Sequence, residues 1–119
     1  MSKPLAYYAH CMALYDTAQE ARDVVLVKRL GFAVLNPNGP EHQKGAKREG
    51  MDYFKAVVLG CELLVFRALP DGAIPAGVYL EIQWAREADM PVIELPSSVL
   101  RRGITREQTR EYIREVGKW

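Results

Sequence analysis

The sequence predicts an α/β fold in which a small parallel sheet is covered by helices. Two observations predict it. Short apolar runs of four or five residues recur four times along the chain, and a segment with helical spacing follows each of them. Such alternation is typical of parallel sheets, because parallel strands are joined by crossovers that usually contain a helix. The 119 residues predict a single domain spanning residues 1–119.

The first strand and the first helix have clear boundaries in the sequence. Residues 5–9 are apolar and aromatic and are predicted to form a buried strand. Thr17 and Glu20 have the spacing of a capping box, so a helix is expected to begin there and to continue to about Leu30. Gly31 follows as a residue that adopts a left-handed conformation at little cost and so ends the helix.

The second strand and the segment after it follow the same logic. Residues 32–35 are the predicted strand, and the turn-forming residues 36–40 end it. The polar and basic residues 38–50 are predicted to be the longest loop of the chain. Residues 51–59 are predicted to form a short helix that ends near Gly60.

The third and fourth strands enclose another helix. Residues 62–66 are mostly apolar and are predicted to be a strand covered on both faces. Residues 67–77 are rich in glycine and proline and are predicted to be irregular. Residues 78–89 carry apolar side chains at helical spacing, and residues 91–95 form the fourth predicted strand.

A final helix is predicted after the fourth strand. Thr105 and Gln108 form a second capping box, and Tyr112, Ile113 and Val116 are expected to be buried. The complete order is βαβαβαβα. Since crossovers between parallel strands are right-handed, this order favours a flavodoxin-like three-layer sandwich with strand order 2-1-3-4.

Composition excludes several classes of protein. Sixteen Lys and Arg against fifteen Asp and Glu give a net charge of +1, which argues against a dedicated nucleic-acid binder. No apolar run approaches the roughly 18 residues of a membrane span, and the first residues lack a secretory pattern. Cys11 and Cys61 are expected to be free thiols of a cytoplasmic protein. No spacing of His, Cys and Asp suggests a metal, and no cofactor is expected.

The fold predicts where a ligand would bind. In open parallel sheets, ligands bind at the carboxyl ends of the strands, next to the point where the strand order reverses. After strand 3, residues 71–77 lead into a helix whose free backbone N–H groups can bind an anion, and Glu81 lies one turn further on. The simpler alternative is that Glu81 is a solvated helix residue and the glycines only make a turn.

This part of the chain resembles a known family. Residues 77–85, with Glu81 and Ala85, and the strand at residues 90–95 resemble the signature of the nucleoside 2-deoxyribosyltransferase superfamily, including its 2′-deoxynucleoside 5′-phosphate N-hydrolase branch. The resemblance covers about residues 5–96. Further residues that agree with it are Tyr7, Tyr8, Asn36, Pro37 and Asp52.

The resemblance implies a mechanism. Glu81 would attack the anomeric carbon of a deoxyribosyl group and form a glycosyl-enzyme ester, which water or an acceptor base would later resolve. Asp52 or Asp71 would hold or protonate the base, and Tyr7 or Tyr8 would orient Glu81. The implied partners are a nucleoside or nucleotide and further copies of the chain, which complete the site in relatives.

Other residues at this edge are candidate substrate contacts. Ala76 and Gly77 would hold a 5′-phosphate or a 5′-hydroxyl, and Asn36 lies at the end of strand 2. His10 would bind the substrate or act as a general acid; a thiol mechanism with its neighbour Cys11 is disfavoured because adjacent residues point to opposite sides. Lys44, Lys47 and Arg48 could bind phosphate or could form a solvated surface, and Ser97 and Ser98 could contact a ligand.

Two alternatives to an enzyme remain. Pro75 stands where the transferases carry Asp, and Ala76 stands near the position where the phosphate-specific hydrolases favour Ser. These departures favour a nucleotide-binding sensor domain that has lost turnover. The other alternative is a partner-binding domain without a small ligand, which would expose an apolar patch around Trp84.

Overall fold

The computed structural model describes residues 3–96 and 103–118. Four parallel strands form one sheet with the order β2-β1-β3-β4, which confirms the predicted topology. The strands are β1 (Leu5–Ala9), β2 (Ala33–Leu35), β3 (Leu63–Phe66) and β4 (Val92–Glu94). The helices are α1 (Ala18–Arg29), α2 (Pro40–Glu49), α3 (Met51–Leu59), α4 (Ala76–Glu87) and α5 (Arg106–Glu115), and a single 3₁₀ turn covers Met12–Leu14.

The predicted ends of α1 are confirmed. The Thr17 side chain accepts a hydrogen bond from the Glu20 amide, and Gly31 adopts a φ of 100° after the last turn. The Glu20 carboxylate reaches one residue beyond the cap and accepts the amide of Asp16 at 3.1 Å. The first turn of α1 is therefore tied to the segment that leaves β1.

The prediction of a loop over residues 38–50 was wrong, because most of the segment forms α2. Pro40 occupies the first turn, where its missing N–H costs nothing. Gly45 lets α2 lie directly against α3, since a Cβ there would come within 2.3 Å of the Tyr53 ring. The Tyr53 hydroxyl also lies 2.7 Å from His42 Nδ1. Packing against a neighbouring helix thus overrides a polar sequence without apolar periodicity.

Two hydrophobic clusters cover the two faces of the sheet. Because side chains alternate along a strand, Tyr7 and Leu64 point to the face covered by α3 and α4, where Ile82 is buried. Tyr8 and Val65 point to the other face, which α1 covers. The two adjacent tyrosines of β1 are therefore fully buried on opposite sides of the sheet.

The expected burial of α5 is not observed. Its capping box of Thr105 and Gln108 is present, but Tyr112 is 61% exposed, Val116 is 48% exposed and Ile113 is only partly buried. The capping box satisfies backbone N–H groups of the first turn, and Tyr112, Ile113 and the C-cap residue Val116 follow or lie among the six charged side chains of the helix. Ser97 and Ser98 lie outside the described residues. None of the helices that the structure describes has the length and apolar character needed to cross a membrane.

Candidate functional site

A cavity of about 350 Å³ lies at the carboxyl edge of the sheet. This volume falls within the range of small-molecule sites. Its walls come from the end of β1, the 3₁₀ turn, α2, α3 and the first turns of α4. The side chains that define its chemistry are Tyr7, His10, Tyr15, Gln43, Phe54 and Glu81.

Glu81 enters this cavity from the buried side of α4. Val78 and Ala85, three residues before it and four residues after it, pack against the sheet on the same face of the helix. Glu81 is therefore only 7% exposed, and its Oε2 accepts a hydrogen bond from the hydroxyl of Tyr7. Tyr7 itself is fixed in the centre of the sheet by pairing with Leu35 and Leu64.

Burial dominates the electrostatics of this pair. Desolvation raises the pKa of Glu81 to about 7, and the hydrogen bond from Tyr7 opposes the rise only in part. Desolvation, the charge of Glu81 and the same hydrogen bond together raise the pKa of Tyr7 well above its ordinary value. Tyr7 thus remains a donor near neutral pH, where Glu81 changes between its neutral and ionised forms.

Two carboxylates that the sequence offered as partners of Glu81 lie elsewhere. Asp52 is exposed in the first turn of α3, and Asp71 is exposed in the loop before α4, where it accepts the amide of Ala73 at 2.9 Å. Neither lines the cavity. Glu81 is the single carboxylate among the described lining residues of this cavity.

The other predicted contacts divide between the cavity and its surroundings. Gly77 lines the cavity, whereas Ala76 is exposed at the first residue of α4. The side chain of Asn36 is engaged in its own turn, where it accepts the Asn38 amide at 2.9 Å, and the next residue, Pro37, contributes to the wall.

Tyr8 faces away from the cavity. Its hydroxyl donates to Asp23 Oδ2 at 2.6 Å, and Arg67 donates to the same oxygen from Nε at 2.9 Å. Desolvation opposes ionisation of Asp23, but the hydrogen bonds from Arg67, Tyr8 and Gln19 together lower its pKa. Of the two tyrosines considered, the structure brings Tyr7 to Glu81 and gives Tyr8 a separate carboxylate.

His10 lines the cavity but is anchored outside it. Its Nε2 lies 2.7 Å from the Glu20 carboxylate, and its Nδ1 lies 3.0 Å from the carbonyl oxygen of Tyr8. The ring stacks on that of Tyr8 with centroids 3.8 Å apart. Both ring nitrogens are thus directed at protein acceptors.

The lining side chains that the sequence analysis missed include Tyr15, Gln43, Met51 and Phe54. Tyr15 follows strand 1 closely, so an aromatic residue at that strand end was the one available signal. Gln43 was missed because its segment was predicted to be a loop. The Tyr15 hydroxyl makes no hydrogen bond to a residue that the structure describes. Desolvation, followed by the charge of Glu81, raises the pKa of Tyr15 to about 12.

The remaining predicted features lie away from Glu81. Lys44, Lys47 and Arg48 are exposed on α2, and none of them lines the cavity. Trp84 is partly buried against the cluster under α4. Within the described ranges, no group of three His, Cys, Asp or Glu side chains is placed to hold a metal ion.

Comparison of the chain with protein-family models, with curated proteins and with solved structures gave no match.

Proposed function

We propose that the chain cleaves the N-glycosidic bond of a deoxynucleoside or nucleoside monophosphate, with Glu81 as the nucleophile. The observation that carries the proposal is the buried Glu81 carboxyl group in a cavity at the carboxyl edge of the sheet, held by the Tyr7 hydroxyl. A carboxyl group with a perturbed pKa in a cleft is a candidate for catalysis. The sequence around Glu81 resembles that of enzymes with this activity.

The reaction proceeds by substitution at the anomeric carbon. One oxygen of ionised Glu81 forms a bond to C1′, and the C1′–N bond breaks, so that its electron pair leaves with the base. The base takes up a proton, and the sugar remains on Glu81 as an ester. Water, or the nitrogen of another base, then attacks C1′ and releases Glu81 with net retention at that carbon.

Tyr7 prepares the nucleophile. Its hydroxyl engages Oε2 of Glu81, which fixes the carboxylate plane and leaves Oε1 to attack. The aromatic and thioether side chains of Phe54, Tyr15 and Met51 offer an apolar wall that suits a planar base. The leaving base receives its proton from solvent or from an acid of a neighbouring copy of the chain, since no second carboxylate lines the cavity among the described residues.

The variant Glu81→Gln tests the proposal, with Glu87→Gln as the control because Glu87 is exposed on the same helix. Each protein is incubated with the four common 2′-deoxynucleosides and their 5′-monophosphates, and free base is measured by chromatography. We expect release by wild type and by the control, and a loss of at least about 10³-fold for Glu81→Gln. Release by Glu81→Gln at the wild-type rate would refute the role of Glu81.

A sensor domain is the second candidate. The exposed positions of Asp52 and Asp71 favour it, because they leave Glu81 without an acid partner in the described part of the cavity. Thermal denaturation of wild type with the same compounds distinguishes the two functions. A ligand at about 100 times its Kd stabilises the protein by about 2.7 kcal/mol, and such binding without base release selects the sensor.

A further inference from the structure

The hydrogen-bond partners of His10 determine its charge. Its Nδ1 faces the carbonyl oxygen of Tyr8 at 3.0 Å, and a carbonyl oxygen can only accept. Its Nε2 faces Oε2 of Glu20 at 2.7 Å. The ring side chain has no exposed surface, so solvent does not supply an alternative partner for either nitrogen.

Glu20 is held as an acceptor by several donors. Besides His10, the carboxylate accepts the amide of Asp16 at 3.1 Å and the side-chain amide of Asn38 at 3.1 and 3.2 Å. Desolvation opposes ionisation of Glu20, but these hydrogen bonds together lower its pKa. A carboxylate that accepts at both oxygens carries no proton of its own, so the hydrogen between Glu20 and His10 belongs to Nε2.

Both ring nitrogens thus face acceptors, an arrangement that a doubly protonated ring satisfies completely. His10 and Glu20 thereby join three elements beside the cavity. His10 continues from β1, Glu20 belongs to the first turn of α1, and Asn38 lies in the turn between β2 and α2. The Tyr15 ring rests against His10, with centroids 4.9 Å apart and planes inclined by 55°.

We infer that His10 is a cationic positioning residue of the cavity, and that it fixes the Tyr15 ring and the adjoining turns rather than delivering a proton to a substrate. The kinetic consequence of this inference rests on the proposed function. It excludes the general-acid role that the sequence left open for His10, because neither N–H is directed at the cavity. A ligand would contact the wall that His10 supports, including the Tyr15 ring, rather than the nitrogens of His10.

Ionisable groups surround His10 on several sides. Glu20 and Asp16 approach from α1 and the turn before it, Tyr8 lies beneath the ring, and Tyr15 lies against it. Across the cavity, the nearest ionisable group on α4 is Glu81. A ring protonated only at Nδ1 would place the lone pair of Nε2 against the Glu20 carboxylate, so protonation at both nitrogens is what satisfies the two acceptors.

Nuclear magnetic resonance tests the charge without any assay of activity. The chain has two histidines, and the control variant His42→Gln removes the other one and so assigns the signals. We expect long-range ¹H–¹⁵N spectra at pH 7 to show both nitrogens of His10 protonated in wild type and in His42→Gln. In Glu20→Gln, the ring should be neutral with the proton on Nδ1. A neutral His10 ring in wild type would overturn the inference.

Kinetics with two substrates test positioning against acid catalysis. The base of N7-methyl-2′-deoxyguanosine leaves without protonation, whereas that of 2′-deoxyguanosine benefits from an acid. For His10→Gln, which keeps a donor toward Glu20, we expect kcat/KM to fall by up to about 100-fold and equally on both substrates. Tyr15→Leu should give a similar loss. A loss of about 10²- to 10⁴-fold confined to 2′-deoxyguanosine would identify His10 as the acid and overturn the inference.

The two proposals fail in different ways. If wild type releases no base from either substrate, the proposed function fails, and the position of the Tyr15 ring decides the inference. The nuclear Overhauser contacts between the rings of Tyr15 and His10 should then be present in wild type and in His42→Gln and lost in Glu20→Gln. Contacts that persist unchanged in Glu20→Gln would show that the ion pair does not position Tyr15.

Discussion

Tyr7 and Tyr8 are neighbours in β1, and each donates its hydroxyl to a buried carboxylate on a different face of the sheet. On one face, Glu81 has Tyr7 as its hydrogen-bond donor, and its pKa rises to about 7. On the other face, Asp23 also accepts hydrogen bonds from Arg67 and Gln19, and its pKa falls. The two Tyr–carboxylate pairs look alike, yet the surroundings favour the protonated form of Glu81 and the ionised form of Asp23.

The difference separates a carboxylate whose charge is compensated by an ion pair from the carboxylate that we propose as the nucleophile. Asp23 and Arg67 form a bidentate ion pair, at 2.9 Å and 2.5 Å, that compensates the charge it buries. Glu81 is buried beside a cavity whose described lining residues include no arginine or lysine. An uncompensated carboxyl group costs stability when it ionises, and proteins retain such groups where function requires them.

The largest effect is expected from breaking the compensated pair. Asp23→Asn leaves the buried Arg67 cation without its charge partner, so the free energy of unfolding at pH 7 should fall by about 3–5 kcal/mol. Urea denaturation measures this free energy. The control is Asp71→Asn, at an exposed position, which should change the free energy of unfolding little. A loss below about 1 kcal/mol would place this ion pair among those that contribute little to stability.

The second effect has the opposite sign and depends on pH. Below about pH 4.5, Glu81 is protonated in both folded and unfolded chains; between about 4.5 and 7 it ionises first in the unfolded chain, so stability falls as the pH rises. Glu81→Gln lacks this loss. Relative to wild type, it should therefore gain about 3 kcal/mol between pH 4.5 and pH 8. Denaturation curves of both proteins across that range measure the gain; a constant difference would show that burial leaves the pKa of Glu81 unchanged.

The smallest effect separates the two tyrosines themselves. Tyr8→Phe removes a hydrogen bond to an ionised group and should cost about 1.5–3 kcal/mol while leaving the pKa of Glu81 unaltered. Tyr7→Phe removes the one interaction that lowers the pKa of Glu81, so that pKa should move above 7. Carbon-detected titration of the Glu81 carboxyl group measures both variants. Equal pKa values in the two variants would contradict the assignment of Tyr7 to Glu81.

The residues that sequence patterns could predict are those governed by local rules. The strand order follows from the alternation of apolar runs and helices, and Thr17, Gly31 and Thr105 mark helix ends as their local chemistry requires. Glu81 was predicted as a candidate from its position one turn into the helix after the glycine-rich loop and from the family resemblance of that segment. The structure adds that Tyr7, and not Tyr8, is its partner.

The residues that could not be predicted depend on contacts between distant segments. Residues 40–49 are helical because Gly45 fits against Tyr53, a contact invisible in the local pattern. Asp52 and Asp71 were plausible partners of Glu81 in the linear sequence, yet both are exposed and neither reaches the cavity. The bond between His10 and Glu20 likewise joins two elements whose distance no spacing rule specifies.

Local sequence patterns were enough to predict the parallel four-stranded sheet, its order and the edge at which a ligand is expected, because periodicity, capping and crossover handedness act over short distances. They also placed Glu81 near that edge. The pKa of each buried carboxyl group, in contrast, depended on contacts that form only in the folded chain. The pKa of a carboxyl group depends on what surrounds it in space, and packing gave Asp23 an arginine while it left Glu81 with a tyrosine hydroxyl.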